Sequence, residues 1–133
     1  MASIIPNEGI VELMARGGGL TAVAFSVIAT GSGNTAFTSA SSELNTEIEA
    51  NGLSRATATV TQEDGTFTDD TLQFVKAFTV TGTQTVKEIG VTNVLTKDHA
   101  TEIWLYLEVI DTERDLVNGD TYTVTVKVIA ARA

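Results

Sequence analysis

A chain of 133 residues with 17 acidic against 8 basic side chains, a formal charge of −9, is a poor match for a nucleic-acid backbone or an anionic membrane, which both select for positive charge. Without cysteine it has no disulfide framework, thiol nucleophile or thiolate zinc site, and that absence fits folding in a reducing cytoplasm. Hydrophobic residues at 43% and charged residues at 19% describe a globular chain, read as a single domain over 1–133 whose core needs no staples.

Met1 to Ile5 is a short apolar arm that Pro6, Asn7 and Glu8 interrupt, so no basic-then-apolar targeting pattern develops. Asn7 is placed to cap a helix over Glu8–Arg16, with Glu8 at the positive end of its dipole and Ile10, Leu13 and Met14 on one face. Gly17-Gly18-Gly19 ends it. The glycines are not a phosphate cradle, since no lysine follows at P-loop spacing.

Leu20 to Thr30 alternates apolar with small residues on both faces and predicts a central strand; it is too short to span a bilayer. Gly31-Ser32-Gly33-Asn34 leaves it as a loop, and Gly-x-Gly without a third glycine and a helix is no nucleotide fingerprint. Ser42 is read as the cap of a helical turn over Glu43–Ala50, which Asn51-Gly52 stops.

Arg55 to Thr92 reads as three strands joined by two tight turns: Arg55–Thr61, Leu72–Val80 and Val86–Val91, with Glu63-Asp64-Gly65 and Gly82 between them. After a polar loop at Thr96–Ala100, Glu102–Ile110 is the clearest later strand. Strict alternation puts Ile103, Leu105, Leu107 and Val109 on one face and Trp104, Tyr106, Glu108 and Ile110 on the other. Asp111–Leu116 is read as a charged loop, Asn118-Gly119-Asp120 as a turn, and Tyr122-Val124-Val126-Val128 as a last strand. Six or seven such strands without an internal repeat predict a mainly β fold. The architecture expected is an antiparallel β-sandwich with Greek-key or jelly-roll connections and a short N-terminal helix.

Candidate chemistry is sparse. His99 is the one histidine, so a zinc site would need carboxylates almost alone, and no serine sits in a Gly-x-Ser-x-Gly elbow. Glu63-Asp64 and Asp69-Asp70 bracket a turn and offer oxygen ligands to calcium, but off EF-hand spacing and in the ordinary composition of an exposed hairpin. Asp111, Glu113 and Asp115 make a similar cluster diluted by Arg114. One Trp and two Tyr are too few for a glycosidase cleft. Trp104 and Tyr106 are read instead as packing under a loop or against a neighbouring subunit. The residues predict no enzyme, cofactor or metal.

A series of short motifs carries a likeness: Asn7-Glu8-Gly9, Ala29-Thr30-Gly31-Ser32-Gly33-Asn34-Thr35-Ala36, Leu44-Asn45-Thr46-Glu47-Ile48, Gly52-Leu53-Ser54-Arg55-Ala56 with Ala58-Thr59-Val60, Glu88-Ile89-Gly90-Val91 with Asn93, and Gly119-Asp120-Thr121. In that order they resemble small virion structural proteins of tailed bacteriophages, either capsid decoration (cement) proteins or small tail-fibre and tail-tip components. The resemblance implies a non-enzymatic virion protein made in the host cytoplasm. Its partner would be the major capsid protein, or alternatively tail proteins or a host-surface glycan. It also implies a homo-oligomer, a trimer if placed at capsid three-fold positions. A Gly-rich turn is expected where Leu95 to Ala100 stands, which marks that loop as a contact surface. The interface candidates are the arm Ile4, Ile5 and Pro6; Lys97, Asp98 and His99 in the loop; and an apolar stripe of Trp104, Tyr106 and Ile110.

Overall fold

The computed structural model describes residues 2–20, 24–65, 67–68 and 70–130. They form an antiparallel β-sandwich with one helix. The large sheet has the order β1 (Ala2–Ile4), β7 (Trp104–Leu116), β6 (Gln84–Thr92), β2 (Val27–Gly31) and β3 (Ala56–Thr57). The small sheet has the order β4 (Thr59–Glu63), β5 (Thr71–Thr79) and β8 (Thr121–Ile129), and helix α1 covers Asn7–Gly17.

Period-two alternation builds the main core between the sheets. Ile28, Val86, Ile89 and Val91 point down from the large sheet onto Phe74, Phe78, Val124 and Val126 of the small one. Each such side chain, buried to a few per cent exposure or less, contributes roughly 1.5–3 kcal/mol. A second cluster of Ala29, Leu44, Trp104 and Leu107, with Ile4 and Phe37 against it, covers the other face of the large sheet. The segment following β2 lies over that face, so the sheet is buried on both sides and β2 has no exposed residue.

The structure departs from the sequence reading at several points, each for a local reason. Pro6, not Asn7, is the N-cap of α1, and no side chain caps it; the Asn7 N–H donates to Ser39 O instead. Of Leu20–Thr30 only Val27 onward is strand, Leu20 is exposed, and 21–23 fall outside the described residues. Glu43–Ala50 forms no helical turn. Its backbone is held extended along β2, with Ser32 N donating to Thr46 O and Ile48 N to Thr30 O, and these bonds replace the local ones a helix would make.

Arg55–Thr61 is not one strand. The chain changes sheets at Ala58, whose N–H donates to Ser26 O, and so yields β3 and β4. The hairpin β4–β5 is as expected, but β5 and β6 belong to different sheets, so the Gly82 turn is an arch over the core rather than a hairpin. Asp111–Leu116 is no loop: it continues β7 and pairs again with β6 from Val86↔Arg114 onward.

Candidate interaction surfaces

Several of the short motifs singled out in the sequence, those holding Gly31, Asn45 to Glu47, Arg55, Glu88 and Asn93, supply internal ties. Glu88 on β6 is wholly buried, and its carboxylate accepts N–H bonds from Asn45 N (3.1 Å), Asn45 Nδ2 (2.9 Å) and Thr46 N (2.7 Å). Gly31 and Gly33 make room for it; a Cβ on Gly31 would stand 2.3 Å from the Glu88 Oε1. Arg55 is clamped between Glu47 and Glu102, both 2.6 Å away, and lies 5.3 Å from the centre of the Trp104 ring. Burial works against the Arg55 charge, but the hydrogen bonds and charges of the two glutamates outweigh it and push its pKa further up. Asn93 accepts from Ile103 N and donates to Thr101 O, and Gly90 leaves the space that the Trp104 ring fills. Arg55, its side chain 4% exposed between two carboxylates and donating also to Val94 O, ties the segments that carry Glu47, Val94 and Glu102 together.

The expected apolar stripe is broken by a bulge. Val91 pairs with Tyr106 but Thr92 with Trp104, so Leu105 is an extra residue in β7, and Leu105 and Tyr106 both turn toward the main core. Trp104 is thereby flipped to the opposite face, where it is fully buried in the second cluster. It is unavailable to a partner. Tyr106 and Ile110 do remain together, half-buried, on the inner face of β7. The Tyr106 hydroxyl donates to Glu108, and burial first, then that carboxylate, raises its pKa.

The arm is not free either. Ser3 and Ile4 pair with Glu108 and Leu107 as β1, Ile4 and Ile5 pack against the two clusters, and Pro6 is buried. Lys97, Asp98 and His99 stand in an exposed loop, as expected, but it is tied to itself. Lys97 lies 3.2 Å from Asp98, whose hydrogen bond and charge raise the lysine's pKa, and His99 Nδ1 accepts from Thr101 N.

The acidic turn is likewise self-satisfied: Asp70 accepts from Gly65 N, Phe67 N and Thr71 Oγ1, while Asp69 lies outside the described residues. Among the described residues no cluster of three His, Asp or Glu side chains is arranged to hold a metal. In the second acidic cluster Glu113 meets Lys87 at 3.5 Å and Asp115 accepts from Thr85.

Two surfaces escaped the sequence reading. Helix α1 docks through Gly9, whose missing Cβ lets the Trp104 and Leu105 backbone approach, and through half-buried Leu13. It therefore leaves Ile10, Val11 and Met14 outward, next to exposed Leu20. Of the apolar face read over Ile10, Leu13 and Met14, only Leu13 packs inward, and Ile10 and Met14 face solvent. The second surface is the open side of the sandwich along β8, whose outer margin no described strand covers. No family model, curated protein or solved structure matches the chain.

Proposed function

We propose that this chain is a non-enzymatic structural subunit of a tailed-phage virion, a decoration protein that binds the outside of the capsid lattice and bridges neighbouring subunits of the major capsid protein. The observation that carries the reading is the fate of its polar chemistry. Arg55, Glu47, Glu88 and Glu102 are consumed by internal ties, while the surface offers apolar helix positions and a strand edge that no described strand covers. A rigid body with adhesive margins suits assembly, and a ligand that binds only the assembled lattice stabilises it by mass action over many copies. The resemblance of its motifs supplies the virion context.

The test mixes the purified chain with undecorated phage heads and follows co-sedimentation and the heat resistance of the heads. Saturable binding with more resistant heads supports the reading. Absence of binding, or antibody labelling of virions confined to the tail, overturns it in favour of a tail component.

A further inference from the structure

The small sheet stops short of the large one on the side where β8 is its edge. β2 approaches β5 most closely and β3 runs directly into β4, so β8 lies beneath β6 and the margin of β7. The rest of β7, with β1, projects beyond it. Two clefts open along this step. One, of about 220 Å³, separates Ile4, Ile5 and Tyr106 from Lys127–Ile129. The other, of about 300 Å³, separates Glu108, Ile110 and Arg114 from Tyr122–Thr125.

Among the described residues no strand covers the edge of β8. Ala130 N donates to Asp70 O and Asp120 O accepts from Val80 N, so the even-numbered residues of β8 bond to β5. By the alternation of antiparallel ladders, Thr121, Thr123, Thr125, Lys127 and Ile129 then aim their N–H and C=O groups outward. The register with β5 runs unbroken from Thr121 to Ile129, with no bulge, no proline and Lys127 as its one charge. Long edges are ordinarily blunted by such devices or covered. The other outer strands are short: β3 has two residues, β1 three, and β4 five ending on Glu63.

The geometry points to an extended segment of another protein that adds to β8 as a fourth strand of the small sheet and drops alternate side chains into the two clefts. A second copy paired β8 to β8 does not fit. The two-fold axis relating antiparallel edge strands stands perpendicular to the sheet, so both large sheets would lie on one side and both projecting β7–β1 margins would claim the same space. A lone strand brings nothing above it. Its chemistry follows from the step: aliphatic or β-branched residues at inward positions, and net positive charge to meet a chain of −9. This inference stands apart from the virion reading.

The probe is a synthetic peptide with the sequence of residues 121–129, which pairs antiparallel about Thr125 and sets Lys127 opposite Thr123 rather than another charge. With the full chain it should bind saturably and slow amide hydrogen exchange at Thr123, Thr125 and Lys127 by at least about tenfold. Thr125→Pro deletes an outward N–H without touching the β5 ladder, so it should weaken binding at least about tenfold and leave the far-ultraviolet spectrum unchanged. The same peptide N-methylated at the positions matching Thr123 and Lys127 tests the contact from the other side, whether or not Thr125→Pro folds, and should not bind. Unchanged exchange on adding peptide, or binding indifferent to N-methylation, overturns the proposal. So does protection of those amides in a dimer of the free chain, which would assign the edge to a second copy.

Discussion

Glu88 is a wholly buried side chain whose two oxygens are held by N–H groups of Asn45 and Thr46. Glu88→Gln keeps the shape but turns an amide toward N–H donors, so it should cost about 2–4 kcal/mol in denaturant unfolding. A loss below about 0.5 kcal/mol would show that the segment is held by its apolar contacts alone. Glu8 offers a second test. Burial raises its pKa, the N–H of Trp104 partly offsets this, and the charge of Glu102 adds to the rise. The folded state therefore holds the proton more tightly than the unfolded one, and stability falls as pH climbs from the ordinary value of 4.5 through the folded pKa. Glu8→Gln should melt higher than the parent at pH 7, with the difference vanishing as pH drops below about 4.5. A difference constant from pH 7 to 4 would remove Glu8 ionisation from the account. Neither role is legible in the sequence: Glu88 on a strand reads as solvated until the segment that covers it is known, and Glu8 in the first helical turn reads as a dipole partner until β7 is known to lie against it.

At the level of elements, β5 and β8 are legible because their pairing and alternation run unbroken from end to end, and β6 is legible over Ile89 to Val91 despite the register shift between Val86 and Glu88. The break at Ala58 and the bulge at Leu105 are not, since each is carried by register rather than by a turn residue. Helix α1 is legible as a helix, but two of its apolar residues mislead, because it docks through Gly9 and Leu13 while Ile10 and Met14 stay exposed. Gly9→Ala makes that point testable. Alanine favours the helix intrinsically by about 1 kcal/mol, yet its Cβ would stand 2.6 Å from the Trp104 carbonyl oxygen. Backbone cannot yield as a side chain can, so a net loss of about 1–3 kcal/mol is expected, with faster amide exchange along Asn7–Gly17. A variant more stable than the parent would show that the close approach at Gly9 is not needed and that Leu13 alone holds the helix.

For the whole molecule, the sandwich itself is legible in strand number and turn spacing, but the assignment of strands to sheets is not. Which of β5 and β6 faces the other across the core depends on Val80 to Thr83 arching between layers, and a short Gly turn reads equally well as a hairpin. The same ambiguity governs the N-terminal arm, which looks unattached in sequence and is the outermost strand of the large sheet in the structure. Deleting residues 1–5 would remove the β1 ladder against Leu107–Val109 and uncover Tyr106 and the second cluster. Two half-buried isoleucines and a short edge ladder together are worth about 2–4 kcal/mol. For a domain of this size that is a fall in Tm of roughly 10 °C with a single cooperative transition retained. An arm held in reserve for a partner would instead be lost without effect on the isolated chain. An unchanged Tm would therefore return Ile4 and Ile5 to the role of external contact.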